Sequence, residues 1–129
     1  MLAIAALAAG CGDDESDPHR PPEPSQPASS VETRQPAAHC PSDLVGCRTA
    51  TGRILYVERV DPDGDGDAHF VLASREGITA PGISVIDVRR DLRPHPLPGP
   101  GGRLSAAGLV QTGSYGQRQI EAVRVRVAR

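Results

Sequence analysis

Gly102-Arg103-Leu104-Ser105-Ala106-Ala107-Gly108-Leu109-Val110 is the stretch that decides how this chain folds. It follows a connection broken by Pro94, Pro96, Pro98 and Pro100, which excludes a conventional helix there. It holds no sustained helical period, so residues 103–112 read as a strand. Gly113-Ser114-Tyr115-Gly116 then turns the chain into another. In that one Val123, Val125 and Val127 alternate with Arg124 and Arg126, the period of two that a half-buried strand requires. Ile120 and Ala122 fall in the opposite phase, which predicts a bulge near Glu121. Upstream, residues 83–90 form a third strand, with Ile83 and Val85 on one face and Ile86 and Val88 on the other. Residues 53–60 and 68–73 pair as a hairpin around the tight acidic turn Asp61-Pro62-Asp63-Gly64-Asp65-Gly66. The prediction is all-β, with five strands in the order hairpin, single strand, long connection, hairpin.

That order resembles the five-stranded OB barrel. Gly102–Val110 is similar to the family's fourth strand, where a glycine lets the strand bend around the barrel, and residues 83–90 followed by Asp91-Leu92 are similar to its third. A closer resemblance, over about residues 51–127, is to the bacterial OB-fold family of small periplasmic proteins. It implies a signal sequence, an OB-like barrel and a role in envelope stress or ligand binding. The acidic first turn is longer here, and the third-to-fourth connection lacks the family's helix. No catalytic residue carries over.

Leu7-Ala8-Ala9-Gly10-Cys11 resembles the end of a bacterial lipoprotein signal peptide. Small residues stand where a peptidase grips the backbone, directly before a cysteine. The resemblance implies that Cys11 is acylated and that the mature protein is held by lipid on the extracytoplasmic side of a membrane in the cell envelope. Residues 2–9 are apolar but too few to span a bilayer, which takes about 20 residues. A secretory signal opens with basic residues, and none precedes Arg20, so residues 1–10 are expected to be an incomplete signal peptide. The alternative is an ordinary signal cleaved after Ala8. Residues 11–38 read as the lipidated cysteine and a disordered tether. Between Gly12 and Ala38 stand six prolines and a single large aliphatic residue, Val31, too little apolar surface to offset ordering entropy. The barrel domain is expected at 39–129.

Cys40 and Cys47 are left as a pair around a six-residue loop. An oxidising compartment favours a disulfide between them; the alternative is zinc held by His39, Cys40 and Cys47, which lacks a fourth ligand. Charge is uneven: residues 1–47 hold two Arg and seven acids, residues 48–129 twelve Arg and nine acids. A balance of +3 in the second part is short of a dedicated nucleic-acid binder, and three aromatic residues are few for base stacking. Nucleic acid is therefore not the expected partner.

Asp61, Asp63, Asp65, Gly66 and Asp67 match the opening positions of a calcium loop. Leu72 stands where the bidentate glutamate belongs, so the expectation is a hairpin turn with no cofactor, or weak calcium binding at about millimolar affinity. His69 shares a strand face with Val71 and Ala73, and Asp87, Asp91 and His95 are near enough in sequence to gather. No nucleophile–base constellation, phosphate loop or paired carboxylates mark an enzyme. The expected function is a non-catalytic binding or interaction module on a lipid tether, contacting an envelope protein or glycan. The alternatives are a weakly calcium-responsive surface domain and an oligonucleotide- or oligosaccharide-binding OB domain. Ligands of OB barrels lie across strands two and three, which places the expected contact face on residues 68–73 and 83–90. Its rim is the acidic turn together with Tyr115, Gln117 and Arg118; a Tyr115 ring folded back over its own hairpin is the alternative to an exposed one.

Overall fold

The computed structural model describes residues 37–58 and 64–128. Within them the chain forms β1 (Cys47–Glu58), β2 (Ala68–Ser74), β3 (Ile83–Val88), a 3₁₀ turn at Arg90–Leu92, β4 (Arg103–Thr112) and β5 (Arg118–Ala128). The strands close into a barrel in the order β1-β2-β3-β5-β4. All neighbours are antiparallel except β3 and β5, which run parallel. Closure leaves no edge strand exposed. The core is mainly aliphatic: Ile54, Leu72, Ile86, Leu104 and Ile120 belong to one buried cluster with Phe70, the largest side chain to be fully buried.

β4 has the bounds read from the sequence. Gly108 is needed there because the backbones of β4 and β5 nearly touch: an added Cβ would sit 1.8 Å from the Glu121 carbonyl oxygen. At this point the register jumps from Ala107↔Arg124 to Gly108↔Ala122, leaving Val123 as the extra residue. The bulge thus falls two residues beyond its expected place, because the tight contact at Gly108 decides where β5 is pinched. Gly52 does the same in β1, where a Cβ would lie 2.1 Å from the Ala73 carbonyl oxygen.

β1 differs most from its sequence reading. It begins at Cys47, since Arg48, Thr49, Ala50 and Thr51 pair with Gly108, Ala107, Ala106 and Ser105. These short side chains carry no strand pattern of their own; the partner strand recruits them. A second bulge at Leu55, between Ile54↔Leu72 and Tyr56↔Val71, bends the strand from one neighbour to the other. β3 ends at Val88, two residues early, where Arg89 enters the 3₁₀ turn. The Pro/Gly-rich connection then docks on β1 through Ile54, whose N–H donates to the Gly102 carbonyl at 2.8 Å and whose carbonyl accepts from the Gly101 N–H at 2.8 Å.

β3 and β5 share only the pairs Ile86↔Ile120 and Asp87↔Glu121. Thr79 extends this junction with its side chain: the hydroxyl accepts the Val85 N–H at 2.9 Å and donates to the Arg118 carbonyl at 2.6 Å. The segment before β1 is packed onto the barrel, with Ala38 buried and its N–H donating to Ser105 Oγ at 2.8 Å. Cys40 and Cys47 are joined by a disulfide, with Cα atoms 5.8 Å apart. Their sulfurs are thereby unavailable as the thiolates that zinc would need. Because Cys47 opens β1, the bridge anchors a strand end. Reducing it is expected to lower stability by about 2.5 kcal/mol on the chain-entropy account, read as a lower urea midpoint in dithiothreitol. An unchanged midpoint would show that Ala38 and the strand pairing hold this end without it.

Candidate functional site

The outer surface of β2 and β3 is built by alternation. With Phe70, Leu72, Ile86 and Val88 inside, the neighbours His69, Val71, Val85 and Asp87 must point outward. Register then lines these residues up across strands. Tyr56, Val71 and Val85 form one row. The next row, at the end of the barrel that carries the acidic turn, is Glu58, His69, Asp87 and Glu121, one residue from each of β1, β2, β3 and β5. Tyr56 is 56% exposed, so the apolar row is open to contact.

The ionisable row is crowded. His69 Nδ1 lies 4.0 Å from Glu58 Oε2, and His69 Nε2 lies 3.8 Å from Asp87 Oδ1. Both distances exceed a hydrogen bond, and His69 Nδ1 and Asp87 Oδ1 are closed to water without a hydrogen-bond partner. Burial pushes the Asp87 carboxyl up from 3.8 to about 6; His69 opposes the rise, while Asp67, Glu121 and Asp65 add repulsion. Asp67 is also raised, first by burial and then by Asp65, against lowering hydrogen bonds from the Arg90 backbone and Asp87.

Asp87 Oδ2 accepts from Gln119 Nε2 at 3.0 Å, Gln119 Oε1 accepts from Gln117 Nε2 at 2.9 Å, and Gln117 Oε1 accepts from the Tyr115 N–H at 3.1 Å. An unbroken amide chain therefore runs from the β4–β5 turn to the carboxylate on β3. Glu121 is held by Gln111 from β4.

His69 and Gln117, both singled out by sequence, are brought into one network. Tyr115 stands at its end with its side 74% exposed, so the ring is not folded over the hairpin. Arg118 is present through its backbone carbonyl, which Thr79 occupies. Asp65 and Asp67 form the near rim, where Asp65 Oδ1 accepts the Asp67 N–H at 3.0 Å, as turn-forming aspartates do. Asp61, Asp63 and Cys11 lie outside the described residues. Among the described residues no three His, Cys, Asp or Glu side chains converge as metal ligands. Asp91 turns to Arg89 at 3.4 Å, while Asp87 accepts from Gln119 and faces His69. Glu58, Gln119 and Glu121 were not legible as site residues. They are brought together by the register of β1, β2, β3 and β5, which no local pattern reveals.

No family model matches this chain, and no curated protein matches it. Among solved structures, it is similar to the N-terminal domain of PriB protein from Thermoanaerobacter tencongensis, a structure described as dimeric. The two are 15% identical with a TM-score of 0.50, and the match covers 65% of this chain and 97% of that one. At that identity the likeness concerns the fold alone. The fold is an OB-like barrel.

Proposed function

We propose that this chain is a lipid-anchored extracytoplasmic protein whose barrel is a non-catalytic binding module, and that its contact face is the outer surface of β2 and β3. One observation carries the reading. Asp87 is pushed to about 6 by burial among other acids, a burden on the fold, and it sits between two turns beside an open apolar row. Groups that weaken the fold are retained where contact needs them. The face suits an envelope protein or a glycan, with apolar contact from Tyr56 and Val71 and hydrogen bonding from the Asp87–Gln119–Gln117 chain. Its carboxylates repel phosphate, which argues against a nucleic-acid partner. No cofactor is required. The address is supported by the lipoprotein-like Leu7–Cys11 stretch, the proline-rich segment after it and the Cys40–Cys47 disulfide, a bond that persists in oxidising compartments.

Two measurements test this. Full-length protein expressed behind a complete signal sequence is expected to incorporate a palmitate analogue and partition into detergent, and Cys11→Ser to lose both properties. Unlabelled, water-soluble wild-type protein would end the lipoprotein reading. Envelope extracts and peptidoglycan fragments are then offered to the immobilised full chain. Tyr115→Ala is expected to weaken capture by about 1 kcal/mol or more while leaving the melting temperature in place. Full capture by both Tyr115→Ala and Asp87→Asn would remove the site from this face, and capture of oligonucleotides alone would reverse the choice of partner.

A further inference from the structure

The row Glu58–His69–Asp87 has a geometry that only an added proton completes. A neutral imidazole carries one N–H donor and one acceptor nitrogen. Here both ring nitrogens face carboxylate oxygens, at 4.0 and 3.8 Å. Whichever nitrogen holds the proton, the other opposes lone pair to lone pair, and the gap on that side stays open. His69 Nδ1 and Asp87 Oδ1 are both buried without a hydrogen-bond partner. An imidazolium donates from both sides and attracts both carboxylates.

Charged groups of both signs surround the row. Facing the row are Asp65 and Asp67 from the turn before β2, and Glu121 from β5, which Gln111 of β4 holds. Two cations of the segment after β3 reach the same turn: Arg93 Nη1 donates to the Gly66 carbonyl at 2.9 Å, and the Arg90 guanidinium packs beside Gly66. Because Glu58↔His69↔Asp87 are register partners, drawing these side chains together acts on the ends of three adjacent strands at the base of the acidic turn.

We propose that Glu58, His69 and Asp87 form a proton-operated latch across β1, β2 and β3, which closes when the His69–Asp87 pair takes up a proton and thereby sets the charge of the contact face. The inference rests on the binding reading for its purpose, since the latch regulates that same surface. Closing lowers the net negative charge of the face by one and gives each link of the row a donor, so a partner held by positive charge is released as the medium acidifies.

The latch is tested on the free, full-length protein by following the His69 ring nitrogens and the Asp87 carboxyl carbon by NMR from about pH 4 to 8. Expected is a joint transition of both residues, as coupled sites show, with both ring N–H protons protected from exchange at the acid end. His69→Gln removes the neighbouring positive charge that lowers Asp87, so the Asp87 carboxyl is expected to titrate at higher pH in that variant. An Asp87 titration unchanged by His69→Gln, or ring protons exchanging as fast as those of a free imidazole, would overturn the latch. Should the variant not fold, the wild-type exchange rates decide alone. Capture experiments with Tyr115→Ala at a single pH report on the binding reading separately, so each can fail without the other.

Discussion

Gly108→Ala is expected to destabilise the barrel by about 4 kcal/mol or more, or to prevent folding, an effect reserved for severe backbone or core conflicts. The added Cβ would meet the Glu121 carbonyl carbon at 2.7 Å and Ala122 Cα at 3.0 Å as well as the oxygen at 1.8 Å. None of these is a flexible side chain that can move aside. Relief requires β4 and β5 to separate, and with them the pairing that closes the barrel and the position of Glu121 beside Asp87. Gly99→Ala is the control: nothing lies within 4 Å of its added Cβ, and its change in stability is expected to stay within about 0.5 kcal/mol. Urea denaturation followed by circular dichroism measures both. A Gly108→Ala variant as stable as Gly99→Ala would mean that the strands do not approach this closely.

Asp87→Asn is expected to act in the opposite direction. A carboxyl raised in the folded state binds its proton more tightly there than in the unfolded chain. Stability is therefore greatest below the unfolded value of 3.8, falls as pH rises to about 6, and carries the full penalty above that. The side chain is 16% exposed, so solvent screens the effect only in part. At about 1.4 kcal/mol per pH unit the penalty is about 3 kcal/mol. Asparagine keeps an oxygen to accept from Gln119 and carries no charge to repel Asp67 and Glu121. The variant is expected to gain about 2–3 kcal/mol at pH 7, to match the wild type near pH 3.5, and to lose affinity for the partner. Equal stability at pH 7 would remove the idea that Asp87 is retained at a cost to the fold.

These two residues mark how far local pattern reaches. Gly108 stands in a run that reads as a strand, and both ends of β4 were visible because proline on one side and a Gly-Ser-Tyr-Gly turn on the other stop the pattern. The phase slip in β5 was visible too, displaced by two residues, since alternation reveals that an extra residue exists but not which backbone contact pinches it out. β1 was half legible. Its apolar end has the period of a strand, while Cys47-Arg48-Thr49-Ala50-Thr51 becomes one only through hydrogen bonds to β4.

Of the residues named from sequence, His69 and Gln117 fall into one network and Tyr115 is exposed at its end. The joining of His69 to Asp87, of both to Glu58 and Glu121, and of Asp87 to Tyr115 through two glutamines depends on register and on barrel closure between β3 and β5. What the sequence by itself determined is the all-β class, the five strands and the turns between them, because alternation, proline and glycine act over a few neighbouring residues. What only the tertiary structure decided is which residues share a row, because strand register is set by packing across the whole barrel, and with it the burial that raises Asp87.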